Sequence, residues 1–116
     1  MGAGADTEVC MLRIYDVMLR VLEGSRRVLP LIARRDRNLE DQLRRAATSV
    51  LLNIAEGAGV RGKNRTLRYS TALGSARECV ACLHAAGALG YVDVVDPVVG
   101  DGLREVIGTL VKLTRD

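Results

Sequence analysis

The side chains best suited to chemistry are seven cations, Arg44, Arg45, Arg61, Lys63, Arg65, Arg68 and Arg77. Guanidinium groups make forked contacts with phosphate and carboxylate, so this set suits a nucleic-acid backbone or interface ion pairs. Arg61, Lys63 and Arg65 stand in or beside Gly57-Ala58-Gly59-Val60-Arg61-Gly62, a glycine loop that precedes a helix. Helix starts present amide donors and partial positive charge, which favours phosphate. Arg61, Arg65 and Arg68 recur at helical spacing and are expected to form one ridge. Only Tyr69 is aromatic in this patch, so base stacking has little to work with and backbone contact is the expected mode. The competing reading pairs these arginines with acids of the same or a neighbouring subunit.

The other candidates offer less chemistry. Asn53 and Glu56 lack a nucleophile or a second acid/base group, so no catalytic residue is assigned. They are expected to join a structural network with the Gly57 loop, with Arg44, Arg45 or Arg77 as partners for Glu56. Cys79, Cys82 and His84 do not make a metal site: the two cysteines share a helical face, His84 points elsewhere, and only Cys10 remains as a further thiol. The cysteines read as small buried hydrophobes, and no metal or cofactor is expected. Gly57-Ala58-Gly59 lacks the Lys-Ser or Lys-Thr of a nucleotide-hydrolase loop.

Four helices are expected to position these groups. Residues 1–7 read as a tail and 8–116 as one domain. Helix one starts near Asp6 or Thr7, carries Leu12, Tyr15, Leu19, Leu22, Leu29 and Ile32 on its apolar side, and should kink or break near 26–30 because of Pro30. Asn38 is the expected cap of helix two, which runs to about Glu56 with Gly57 as its stop. Along it Leu43, Ala47, Val50 and Ile54 form an apolar stripe. Gln42, Ala46, Ser49, Asn53 and Glu56 form a small/polar stripe one residue away. Such a helix faces two surfaces, its own core and either a polar network or a neighbouring subunit.

Helix three runs from Lys63–Arg65 to about Leu89, with a core stripe of Tyr69, Leu73, Ala76, Val80, Leu83 and Gly87. Beside it Ser70, Gly74, Ala81, Ala85 and Ala88 would let another helix approach. Gly90 is a C-terminal stop. Asp96-Pro97 is a cap and first-turn proline for helix four. Its apolar face is Val99, Leu103, Val106 or Ile107, Leu110 and Leu113, and Gly100, Gly102 and Gly108 make it the weakest helix by propensity. The fold class is therefore all-α, an antiparallel up-down four-helix bundle.

The totals agree. A chain of 116 residues makes one domain with an aliphatic core, since it has no Phe or Trp and three Tyr. Residues 13–77 carry fourteen Lys/Arg against six Asp/Glu, whereas 78–116 carry three against six. No leader or membrane-spanning run is visible, and three cysteines suit a reducing compartment, so a soluble cytoplasmic protein with no membrane partner is expected.

With the helices placed, the chain resembles the bacterial four-helix-bundle family named for proteins encoded by intervening sequences in 23S ribosomal RNA genes. The motif is carried by Gln42-Leu43-Arg44-Arg45-Ala46-Ala47, Ser49 and Asn53-Ile54-Ala55-Glu56-Gly57. Arg61, Tyr69, Ala72-Leu73-Gly74-Ser75-Ala76-Arg77-Glu78 and Leu89-Gly90-Tyr91 add to it. Many members carry a proline shortly before the Asn53 position. Leu51-Leu52 stand there instead, which removes the reason for a kink in helix two.

The resemblance implies a homo-oligomer, a ring and most often a pentamer. A related branch, the accessory proteins of diversity-generating retroelements, implies contact with nucleic acid and a reverse transcriptase. The expected function is non-enzymatic nucleic-acid binding, RNA before DNA, through the basic set, with Gln42, Ser49, Asn53, Glu56, Gly57 and Gly74 organising helices or subunits. The alternative is an oligomeric scaffold that binds a nucleic-acid-processing protein.

Overall fold

A computed structural model describes residues 3–115, with side-chain surroundings from Thr7 onward. The expected tail at residues 1–7 lies partly outside that range, and its remainder is helical. The helices are α1 (Ala3–Ala33), α2 (Arg37–Ala58), α3 (Lys63–Ala88) and α4 (Pro97–Thr114), and no strand occurs among the described residues. Each helix packs on its sequence neighbours and α1 also packs on α4. With short turns, this is the contact pattern of an up-down bundle. The 49 × 22 × 20 Å extents fit four rods laid along one axis.

The inward face of α1 is Met11, Ile14, Met18, Val21, Val28 and Ile32, with Ser25 buried among them. Ser25 Oγ donates to the Leu22 carbonyl at 2.6 Å, which satisfies its hydroxyl. The stripe expected from sequence is rotated by about one residue: Ile32 is core, but Leu12 and Leu19 face solvent. α1 has two apolar stripes, and periodicity alone did not say which one faces the core. Pro30 does not break the helix. It is exposed and lies in the last turn, so little helix follows for it to disrupt, and Arg34 N–H donates to the Pro30 carbonyl at 3.2 Å.

The cap of α2 is Asp36, two residues before the expected Asn38. Asp36 is extended and its Oδ1 accepts from the Leu39 amide at 2.9 Å. Its Oδ2 accepts from Tyr91 Oη at 3.4 Å, and the Arg35 guanidinium sits 5.5 Å from the Tyr91 ring centre. The α1–α2 turn is thereby tied to the α3–α4 link.

The apolar stripe of α2 (Leu43, Ala47, Val50, Ile54) is buried as expected. In α3 the core residues are Tyr69, Ala72, Ala76, Cys79, Cys82, Leu83 and Ala86. Leu73 and Val80 are half-buried and Gly87 is exposed, so that stripe too is partly displaced. α3 ends in a Schellman arrangement: Tyr91 N–H donates to Ala86 O at 2.9 Å and Gly90 N–H to Gly87 O at 3.1 Å, with Gly90 at φ +78°. Asp96 caps α4 through the Val98 amide at 2.9 Å, with Pro97 in the first turn.

Two of the glycines that lower helix propensity permit close packing instead. A Cβ on Gly102 would lie 2.5 Å from Val21 Cγ2, and one on Gly24 would lie 2.8 Å from Val99 Cγ2. α1 and α4 meet through these two notches, each filled by a valine methyl of the other helix.

Candidate nucleic-acid interface

The polar stripe of α2 lies at the α2–α3 seam. Ser49 Oγ and Ser75 Oγ are 2.8 Å apart, a hydrogen bond that joins the helices midway along the seam. Asn53 is 9 % exposed, and its Nδ2 donates to Ser49 O at 2.9 Å and to Ser49 Oγ at 3.2 Å. Those bonds set the amide's orientation and leave Oδ1 buried without a partner among the described residues. Asn53 and Ser49 thus belong to a seam network, as the small/polar stripe suggests, while Gln42 and Glu56 lie at its exposed ends.

Two shallow depressions follow this seam. One, of about 420 Å³, lies among Gln42, Arg45, Ser49, Ser75 and Glu78. The other, of about 390 Å³, lies among Arg44, Arg45, Leu52, Asn53, Glu56 and Arg68. Arg45 and Ser49 line both, so the seam reads as one long polar furrow with guanidinium groups on its rims.

The seven cations separate into three kinds. Arg44 pairs with Glu40 at 3.3 Å and with Asp41 at 2.5 Å, Arg45 with Asp41 at 3.5 Å, and Arg68 with Glu56 at 3.0 Å. The arginines of these pairs are about half or more exposed, and such surface pairs are worth little in stability, so a phosphate can compete for them. Arg61, Lys63 and Arg77 are exposed and have no ion pair among the described residues.

Arg65 is different. Its Nε donates to the Gly57 carbonyl at 3.2 Å and the Val60 carbonyl at 3.0 Å, and the residue is half-buried. It closes the open carbonyl end of α2, where a cation also meets the negative end of the helix dipole. The expected ridge of Arg61, Arg65 and Arg68 therefore does not form: Arg61 is in the loop, Arg65 folds inward, and Arg68 stands on α3 facing the α2–α3 seam. Glu56 pairs with Arg68, not with Arg44, Arg45 or Arg77, because Arg68 faces it across the seam.

Gly57 is also reassigned. It lies inside α2, and a Cβ there would be 2.4 Å from Tyr69 Cε1 and 2.8 Å from Cδ1. The Tyr69 ring rests on the bare backbone of Gly57, and its hydroxyl donates to Met11 Sδ at 2.7 Å. Burial pushes the Tyr69 phenol up, partly offset by Arg65. Gly57 thus does not stop α2; Gly59 does, with its amide donating to the Glu56 carbonyl at 3.1 Å. Gly74 faces outward, with open space around it.

Burial pushes the Cys79 thiol up to about 12, with the Cys82 thiol and Glu78 adding to it, and raises Cys82 in the same direction. Both are core residues, whereas Cys10 is exposed. No group of three or more His, Cys, Asp or Glu placed to hold a metal occurs among the described residues. Nor, among them, is any helix long and apolar enough to cross a membrane.

Sequence reasoning did not foresee the Gly57–Tyr69–Met11 stack or the capping role of Arg65. A signal for the first was present: Gly57 follows Ile54 at a three-residue step, so it continues the buried face of α2.

Fold and seam define the class as an all-α four-helix bundle with a polar furrow between its second and third helices. A crystal structure from Bacteroides thetaiotaomicron, of a protein with unknown function from the S23 ribosomal protein family, shares the fold. Its TM-score is 0.77 at 16 % identity, over 89 % of this chain and 99 % of that one. The model of the family described as 23S rRNA-intervening sequence protein matches residues 13–99, and the chain belongs to that family. No curated protein matches it.

Proposed function

We propose that this chain is a non-enzymatic, cytoplasmic bundle that assembles as a homopentamer and holds the phosphate backbone of nucleic acid along its basic α2–α3 face. RNA comes before DNA on family grounds. The observation that carries the reading is the pair Arg61 and Lys63, exposed at the start of α3, the helix whose Arg68 lines the furrow, with no ion pair among the described residues. Arg44 and Arg45 extend the charge along the furrow, and Arg77 adds to it from α3. Repetition around an oligomer would turn one such face into a collar, with affinity set by counterion release and therefore by salt.

The second reading is an oligomeric adaptor for a nucleic-acid-processing protein such as a reverse transcriptase. The ion pairs of Arg44, Arg45 and Arg68 favour it, since they neutralise part of the patch. The exposed small residues Ser70, Gly74 and Ala81 offer a flat face on α3.

Fluorescence anisotropy with a structured RNA and a matched duplex DNA across a salt series tests the choice. Binding that weakens steeply with salt, and falls at least tenfold in an Arg61→Glu/Lys63→Glu/Arg68→Glu variant, supports the first reading. Arg65 is left intact because its role is structural. Undiminished binding by the variant would remove the assigned site, and no binding at low salt would favour the adaptor.

A further inference from the structure

The outward face of α1 and the groove between α3 and α4 are complementary. Val9, Leu12 and Leu19 on α1 are 67 %, 65 % and 39 % exposed. Leu12 and Leu19 are seven residues apart, about 10 Å along a helix, and Asp16 lies on the same face between them. Glu23 continues that face by one more turn. The result is an apolar stripe interrupted by acids and flanked by the exposed Arg13 and Arg20, of which Arg13 is paired with Glu105.

Between α3 and α4, Val80, Leu83, Val95 and Ile107 line an apolar groove of about 310 Å³. It is open at Gly100, where a Cβ would meet nothing within 4 Å. Its rim holds His84 and Arg104, both exposed. Among the described residues Arg104 pairs only with Asp101, at 3.0 Å, an exposed pair one turn away that an incoming carboxylate can replace.

We infer that the α1 stripe of one copy docks in the α3–α4 groove of the next, with Leu12 and Leu19 entering the groove and Asp16 meeting Arg104 and His84. The inference rests on the homo-oligomer reading and specifies its interface. The occupant is a second copy because this chain supplies the knobs, the spacing and the charge that the groove lacks. Stripe and groove are different surfaces, so the contact is head-to-tail: it closes into a ring when the rotation permits and otherwise grows as a filament.

The test is molar mass by light scattering on the full chain and two variants. Leu12→Glu/Leu19→Glu spoils the stripe. Gly100→Leu fills the groove and also raises helix propensity, so loss of assembly without a lower melting temperature separates docking from folding. Each variant keeps one intact surface.

The expected result is an oligomeric parent and two monomeric variants with unchanged helix content. A 1:1 mixture of the variants should have twice the 12.5 kDa chain mass, because one good stripe meets one good groove. Variants that keep the parent's mass, or a mixture that stays monomeric, would overturn the interface. A monomeric parent at every concentration would instead overturn the homo-oligomer reading itself. A charge exchange adds a check: Asp16→Arg should weaken assembly, and Asp16→Arg/Arg104→Asp should restore it.

Discussion

Replacing Gly57 by alanine should unfold this protein more easily, although the same change is favourable in most helices. An interior Gly→Ala substitution gains about 1 kcal/mol in helix propensity. At Gly57 the new methyl would stand 2.4 Å from Tyr69 Cε1, whereas carbon atoms rest at about 3.5–4 Å. The ring must therefore retreat by roughly 1 Å or more. It has little room, being 1 % exposed and held through its hydroxyl to Met11 Sδ. Overpacking of this kind costs about 1–3 kcal/mol, or more where nothing yields, and here the upper end applies.

The net effect is a loss of about 1–2 kcal/mol. Gly108→Ala is the control: Gly108 is exposed in α4, a Cβ there meets nothing within 4 Å, and a gain of up to about 1 kcal/mol is expected. Urea unfolding followed by circular dichroism at one fixed protein concentration measures both, with the slope checked for constancy. Gly57→Ala/Tyr69→Leu should recover part of the loss by shortening the obstructing ring. A Gly57→Ala protein as stable as Gly108→Ala would refute the packing argument.

Four further outcomes follow from the same geometry. Arg65→Met should lower stability by about 1–2 kcal/mol through the two lost charge-assisted bonds, read as an earlier urea midpoint, while changing nucleic-acid affinity less than twofold. Asn53→Leu should leave stability within about 1 kcal/mol of the parent in the same assay, because the loss of the Ser49 bonds is offset by removal of the unpartnered buried Oδ1. The Cys79 thiol is raised in the folded state, so its contribution is fully present below the unfolded value of 9.0 and is lost as pH rises from there towards about 12. Thermal melts should therefore decline across that window, less so for Cys79→Ala. At pH 8 a thiol reagent should label Cys10 alone until the protein unfolds.

Much of the fold was legible because α2 and α4 have one dominant apolar face each, and because Asp96-Pro97 and Gly90 are strong local signals. α1 was harder: its second apolar stripe competes with the first, and only packing decides which is buried. Pro30 misled because the cost of proline depends on how much helix follows it, which spacing does not reveal. The basic set was legible as composition, but its division was not. Arg65 and Arg68 are three residues apart on one helix, yet one closes the end of α2 and the other faces Glu56 across the seam. Gly57 read as punctuation because glycine usually ends helices; its actual partner, Tyr69, is twelve residues further along and reaches it only through the α2–α3 turn.

The α1–α4 notches bear on the order of assembly. The other extensive helix pairings join neighbours in sequence, so those pairs can form early and close only short loops. The valine-in-glycine fit at Gly24 and Gly102 joins the first helix to the last. It must wait until α4 has left the ribosome, and during that interval the flanks of α1 and α3 that α4 will cover remain open. Enlarging either notch residue should thus speed unfolding while leaving the rate of folding almost unchanged.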